Sequence, residues 1–462
     1  MVGGTPYDLA VIGTGSGNSV VDDRFADWRV AILEAHVFGG TCGNVGCIPT
    51  KMFVHPADLA RAARHGPGLG VDTSYAGARW PAIRDRIFTR IDELAASGRR
   101  YREGLPNVDV HDGHATFVDD HTLTVDTGSA GTGRRITADQ IVIAAGSRVS
   151  VPDIPGLDEA GFHTSDTVMR LDELPRRIVI VGGGYVAAEF AHVFSALGTR
   201  VTQVQRGRSL LRAQDEDISR RFTEIAARQW DLRLEVTPTK VARRSGATLV
   251  SLSDGSELEA DVLLMATGRV PNADRLGLEN TGIALVDGRV EVDAHQRTAV
   301  DGVWALGDVS SAHLLKHVAN HEARTVQHNL LHPDDPVTSD HRFVPSAVFT
   351  SPQIASVGLT SQAARDDGIE HVATTYDYAD IAYGWAMESA PEEHFVKLLG
   401  TPDGSRLLGA HVIGPQASLL LQPLVQALSL GGSPRDVARG QYWLHPSMAE
   451  VVENALLKMV TG

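Results

Sequence analysis

Short apolar runs that stop on glycine organise the chain as far as about residue 310. Residues 7–13 read YDLAVIG, residues 141–146 IVIAAG, residues 178–182 IVIVG and residues 263–268 LLMATG. A continuous apolar run closed by a turn residue is the pattern of a strand buried on both faces of a parallel sheet. Each of the runs at 7–13 and 178–182 leads straight into a glycine turn and then a helix-compatible stretch, the order of a βα unit. A shorter run, GVWALGD at 302–308, ends on an acid. From about Val344 the texture changes. Extended segments over 347–357, 371–378, 395–399 and 407–413 precede helices, and the PDG turn at 402–404 joins two of them as a hairpin. Strands followed by helices indicate an α+β domain. The pattern therefore predicts an α/β chain with two Rossmann-like nucleotide-binding domains and a C-terminal α+β interface domain. The expected boundaries are 1–150 and 271–340 for the first domain, 151–270 for the second and 341–462 for the third.

The two glycine turns lead into different chemistry. In GTGSGN at 13–18, Gly13 makes the turn and Gly15 lets a pyrophosphate approach, while Asn18 stands where a third glycine is usual. Glu34 closes the next apolar run, VAILE at 30–34, where a carboxylate can accept both hydroxyls of an adenosine ribose. In the second turn, Gly182 and Gly184 fill the same places and Ala187 the permitted small third position. The strand after it ends on Gln205, an amide where the acid should sit, with Arg206, Arg208 and Arg212 behind it. A carboxylate repels a 2′-phosphate and arginines bind one through charge-assisted forks. That favours NADPH, with Gln205, Arg206 and Arg212 as its contacts. The matching closures at Gly146 and Gly268 imply a duplicated fold. Asp308, at the carboxyl end of its short strand, is placed to bond a cofactor hydroxyl.

The chain has two cysteines, Cys42 and Cys47, directly after a Gly-Gly-Thr triplet. With no second Cys pair, a closed zinc site lacks ligands. Five helical steps separate Cα atoms by about 7.5 Å along the axis, and a disulfide wants about 4.4–6.8 Å. Closing the bond needs distorted backbone, which Gly43 and Gly46 can supply, and strained, accessible disulfides are the readily reduced ones. A dithiol beside one nucleotide site and one NADPH site calls for a flavin between them, because an intermediary is useful between a hydride donor and a disulfide.

Composition narrows the partners. Lys and Arg total 42 against 57 Asp and Glu, a net charge of −15 spread along the chain, which disfavours nucleic acid. There is no basic n-region before residue 10 and no uncharged apolar run of membrane-spanning length, so a cytoplasmic protein without a membrane partner is expected. In that compartment a lone cysteine pair is more readily catalytic than structural.

GGTC-x₄-CIP-x-K over 39–51, both glycine turns, ATGR at 266–269, LGD at 306–308 and HP-x₃-E at 445–450 together resemble the pyridine nucleotide–disulfide oxidoreductases over essentially the whole chain. The resemblance implies FAD and NADPH as cofactors. It counts Gly13, Gly15, Glu34, Thr41, Lys51, Gly146 and Asp308 among the cofactor-binding residues, with Gly182, Gly184, Tyr185 and Gly268 on the nicotinamide side. Tyr185 gates the nicotinamide pocket, and Lys51 pairs with Glu189 near the flavin. Cys47 is the flavin-facing thiol and Cys42 the outer one that attacks substrate. It also implies that His445, oriented by Glu450, is the general acid–base and reaches the site from the other subunit of a homodimer.

Within the family, GTGSGN at 13–18, LLKHVANH at 314–321, DIAYGWAM at 380–387 and GQYWLH at 440–445 are similar to the branch that reduces mycothione, the disulfide of a sugar–inositol cysteine conjugate. Asp23 and Arg24 stand where glutathione reductases carry an arginine pair, a poor match for the carboxylates of glutathione. A lipoamide dehydrogenase-like or other small-disulfide oxidoreductase activity is the alternative, and the Gln205–Arg206 region opposes lipoamide.

Overall fold

The computed structural model describes residues 6–126 and 133–461. The chain divides into two compact units. One comprises Met1–Met52, Pro81–Ser150 and Gly268–His341; the other comprises Phe53–Trp80, Val151–Thr267 and Arg342–Gly462.

The first unit is built on a parallel sheet in the spatial order Val108–Asp112, Val30–Glu34, Tyr7–Ile12, Arg134–Ile143 and Val303–Ala305. Arg134–Ile143 belongs to two structures at once. Its first half alternates exposed and buried residues and pairs antiparallel with Thr122–Asp126, which in turn pairs with His114–Asp119. Its last residues, Ile141, Val142 and Ile143, are all buried and run parallel to Tyr7–Ile12 and to Val303–Ala305. Alternation suits a sheet with one wet face, and a continuous apolar run suits one covered on both.

The helix expected after the first glycine turn is not formed. In its place stand two 3₁₀ turns, Gly17–Ser19 and Asp23–Phe25. The backbone groups that a helix would bond internally are bonded by side chains from elsewhere. Buried Arg102, on the helix Trp80–Glu103, donates to Asn18 Oδ1 at 2.8 Å, to the Asn18 carbonyl at 2.6 Å and to the Val21 carbonyl at 2.8 Å. Gln327 donates to the Val20 carbonyl at 2.8 Å. Asn18, out of place as a third glycine, is in place as the acceptor of a guanidinium.

The second unit repeats the plan. A parallel sheet runs Asp231–Leu234, Arg200–Gln205, Arg177–Val181 and Val262–Met265, with an antiparallel meander of Pro238–Arg244, Ala247–Leu252 and Glu257–Ala260. The same unit holds an antiparallel sheet ordered Ser346–Val348, Gln353–Gly358, Leu407–Gly414, Phe395–Gly400 and Val372–Asp377. The single extended segment expected over 347–357 is two strands, interrupted where Pro352 cannot donate to a ladder. Leu424, on Gln422–Leu430, and Val452 and Leu456, on Glu450–Thr461, join Leu398 and Val412 of the sheet in one buried core.

An ion cluster ties the start of the helix Glu216–Gln229 to the antiparallel sheet of this unit. Lys397 Nζ donates to Asp215 at 2.7 Å and to Asp217 at 2.6 Å, with Lys397 3% and Asp215 0% exposed. Asp215 also caps the helix Glu216–Gln229 through the Asp217 N–H and accepts from the Ser361 N–H at 2.8 Å.

Candidate active site

Cys42 lies in a short helix, Gly40–Asn44, and Cys47 opens the long helix Cys47–His65. The break between them falls at Val45, whose φ of −140° and ψ of 9° leave the helical region. Of the two glycines expected to bend this segment, Gly46 is the one the geometry requires. A Cβ there would lie 2.9 Å from the Thr41 carbonyl oxygen and 3.2 Å from the Cys42 Cα, whereas one on Gly43 would meet nothing within 4 Å. Thr50 ties the second helix to the bend, bonding the Gly46 carbonyl through Oγ1 at 2.7 Å. The outcome is a reduced cysteine pair, side by side and not joined in a disulfide. The hydrogen bond to Cys47 holds the Cys42 thiol well above the usual range; burial and the Cys47 charge push the same way, and the Lys316 ammonium opposes them. Two neighbouring sulfurs joined by a hydrogen bond are what a reduced dithiol presents to an electrophilic disulfide.

Around the pair, the first unit gathers its nucleotide residues at one edge. Gly13, Glu34, Gly146 and Asp308 follow the carboxyl ends of four neighbouring parallel strands, where open α/β sheets bind ligands. The glycines are spatially required. A Cβ on Gly13 would lie 2.4 Å from the Ala144 carbonyl oxygen, and one on Gly40 would lie 2.6 Å from the Gly15 Cα. That close approach fixes the segment carrying Thr41 and Cys42 against the turn. Glu34 accepts from the Thr14 amide at 2.9 Å and from the His36 amide at 2.9 Å, and Thr14 Oγ1 also donates to it. Asp308 accepts from Ser147 Oγ at 2.6 Å, and Arg269 donates to the same Ser147 at 2.7 Å. A narrow glycine cradle, a carboxylate at the second strand and another at the last strand fit the pyrophosphate and hydroxyls of FAD.

The second unit carries the other nucleotide set. A Cβ on Gly182 would lie 2.1 Å from the Ala266 carbonyl oxygen, the same contact that Gly13 makes with Ala144. Gly184 caps the helix Tyr185–Ala196, whose first residue is 43% exposed at the rim. The Gln205 side chain lies directly over the turn, so that a Cβ on Gly183 would overlap it at 2.3 Å. The Leu211 amide closes the next loop onto the Gly183 carbonyl at 2.7 Å. Of the arginines, Arg208 is engaged with Glu235 at 2.9 Å, Arg212 lies beside Gly207, and Arg206 is exposed. Gly268 belongs to the first unit, where its carbonyl accepts from Ser150 at 2.9 Å.

His445 and Glu450 form a dyad on the second unit. His445 Nδ1 and Glu450 Oε1 are 2.7 Å apart, with the imidazole 73% and the carboxylate 16% exposed. The bond to His445, with that from the Ser447 amide to Oε2, holds the Glu450 carboxyl below its usual range. One carboxylate thus orients the histidine and satisfies the turn entering the helix Glu450–Thr461. Buried Glu189 accepts from the Phe349 amide at 2.9 Å. Lys51 is half-buried, one turn along the helix that Cys47 opens.

Sequence reasoning passed over Arg102, Ser147, Arg269 as a partner of Ser147, and Lys316. The signal available for the second and third was their place immediately after Gly146 and Gly268. Among the described residues there is no cluster suited to a metal ion and no helix long and apolar enough to cross a membrane.

Residues 7–328 match the pyridine nucleotide-disulphide oxidoreductase family, and residues 344–456 match its dimerisation domain. The chain is 52% identical over 460 residues to a mycothione reductase of Mycobacterium tuberculosis, covering 98% of this chain and 99% of that protein. It is 34% identical to a glutathione reductase of Burkholderia cepacia, covering 96% and 97% of the two chains. Among solved structures, the HOCl-induced flavoprotein disulfide reductase RclA of Escherichia coli superposes with a TM-score of 0.85 at 29% identity, covering 98% of this chain and 99% of that one. Two glycine cradles built alike, a hydrogen-bonded pair of cysteine thiols and an end-to-end match lead to one conclusion: the chain belongs to the pyridine nucleotide-disulphide oxidoreductases, enzymes that use FAD and a nicotinamide cofactor.

Proposed function

We propose that the chain reduces mycothione to its thiol with NADPH, as a cytoplasmic homodimer in which each site draws His445 and Glu450 from the partner subunit. The observation that carries the proposal is the hydrogen-bonded Cys42–Cys47 pair beside a complete glycine cradle. FAD, when bound, supplies the two-electron exchange between nicotinamide and the cysteines. Gly13, Gly15, Glu34, Thr41, Gly146 and Asp308 would hold it, with Lys51 and Glu189 at its reactive ring. Gly182, Gly184, Tyr185, Gly268, Gln205, Arg206 and Arg212 serve NADPH. The segments 1–150 with 271–340, 151–270 and 341–462 are the FAD, NADPH and dimerisation parts.

The chain's own chemistry has two displacements. The Cys42 thiolate attacks one sulfur of the substrate, the substrate S–S bond breaks, and His445 protonates the departing thiolate. Cys47 then passes its proton to the now neutral His445 and attacks Cys42 in the mixed disulfide, closing the Cys42–Cys47 bond, and His445 returns that proton to the second departing thiolate. Two electrons pass from the dithiol to the substrate. Glu450 keeps the imidazole oriented through these transfers.

Steady-state NADPH oxidation by the purified protein, offered mycothione, glutathione disulfide and lipoamide side by side, tests the reading. Preference for mycothione supports it. Preference for lipoamide with NADH overturns both the substrate and the roles of Gln205 and Arg206.

A further inference from the structure

The helix Lys316–Leu331 opens on a lysine and has no acidic residue in its first turn. The start of a helix already carries partial positive charge, and cations there are disfavoured. Lys316 is only half exposed, and among the described residues no carboxylate pairs with it. Its ammonium donates to Ser16 Oγ at 2.8 Å, and Ser16 Oγ lies 3.1 Å from Asn320 Oδ1 one turn along the same helix. Ser16 directly follows Gly15, whose Cα packs against Gly40, two residues before Cys42. A lysine held at a positive helix end, bonded to the turn that packs against the cysteine segment, is a site built for an anion that the chain itself provides. The ionisations agree: burial lowers Lys316 while the charges of Cys42 and Cys47 raise it, and the charges acting on Cys42 are those of Cys47 and Lys316.

We propose that Lys316 is the positioning cation of the reduced cysteine pair, seating the single negative charge that Cys42 and Cys47 share and so setting how much thiolate is present near neutral pH. The inference rests on the reading of that pair as the redox couple. Lys51, on the helix that Cys47 opens, is a second lysine on this segment, beside the His445 that the proposed mechanism brings from the partner subunit, so the test compares the two lysines.

The holoprotein, reduced with dithiothreitol, is alkylated with iodoacetamide across pH 5–10, and modification of Cys42 and Cys47 is monitored by mass spectrometry. Lys316→Met should move the inflection up by about one pH unit and slow alkylation at pH 7 about tenfold, with Lys316→Arg restoring most of the loss. An inflection unmoved in Lys316→Met overturns the proposal. So does an unmoved inflection accompanied by an altered flavin absorbance, or an equal upward shift in Lys51→Met. No substrate disulfide is present, so failure here leaves mycothione reduction standing, and failure with mycothione leaves this result readable.

Discussion

Gly46→Ala separates the geometry of the cysteine bend from its composition. The new Cβ would sit 2.9 Å from the Thr41 carbonyl oxygen and 3.2 Å from the Cys42 Cα. Ordinary contact begins near 3.4 Å, so Thr41 and Cys42 must retreat by about 0.5 Å, an overpacking strain of about 1–3 kcal/mol. In the dithiol form the two helices can part and shed most of it. In the disulfide form both ends are tied, and the strain stays. The substitution therefore penalises the oxidised state and raises the reduction potential of the couple by about 20–65 mV, since about 30 mV corresponds to about 1.4 kcal/mol for two electrons. Equilibration of the protein in graded dithiothreitol buffers, with trapping of free Cys42 and Cys47, reads the shift directly. Gly43→Ala is the matched control, because its Cβ meets nothing within 4 Å and alanine is the better helix former. A folded Gly46→Ala protein whose potential coincides with that of Gly43→Ala would refute the argument.

Further substitutions probe three other parts. Lys397→Met strands the buried Asp215 carboxylate, with the half-exposed Asp217 beside it, and should cost about 3–5 kcal/mol, seen as a lower urea midpoint; an unchanged midpoint would show that the cluster carries no stability. Burial opposes ionisation of Asp215, but Lys397 and the Ser361 amide outweigh it and keep its carboxyl below the usual value. That contribution is present above the ordinary carboxylate range and is lost as pH falls through the depressed value, so acid sensitivity should shrink in Asp215→Asn. His445→Gln should slow disulfide turnover by about 10²–10⁴ and leave reduction of the protein by NADPH intact, whereas Glu450→Gln, which retains an oxygen for the Ser447 amide, should lose less; stopped-flow and steady-state rates distinguish them. Neutralising Arg206 and Arg212 should raise KM for NADPH far more than for NADH, and equal effects would remove both from a 2′-phosphate site.

The nucleotide folds were legible because each is written twice. Gly13 and Gly182 close apolar runs, and Ala144 and Ala266, in the runs that end at Gly146 and Gly268, present the carbonyls they pack against. Glu34 and Asp308 could be placed from strand ends alone. The helix expected after Gly17 could not be corrected locally, because its replacement depends on Arg102, 84 residues away from Asn18. Lys397 and Asp215 are 182 residues apart and leave no periodic trace. Gly43 and Gly46 look equivalent in a string of letters; only the path of the backbone shows which one touches Cys42. Lys316 lay inside a segment valued for its resemblance, and its meaning emerged from what stands beside it.

The Lys397 cluster also constrains how such chains can be recombined. Its cation comes from the C-terminal sheet and its two carboxylates from the loop and helix after the strand Arg200–Gln205, so their complementarity is inherited jointly. A chimera joined near residue 341 would match a foreign lysine position to native aspartates, or the reverse, and bury unpaired charge. The cassette that can be exchanged between relatives is therefore larger than either sequence motif suggests: the parallel sheet of the second unit travels with the antiparallel one.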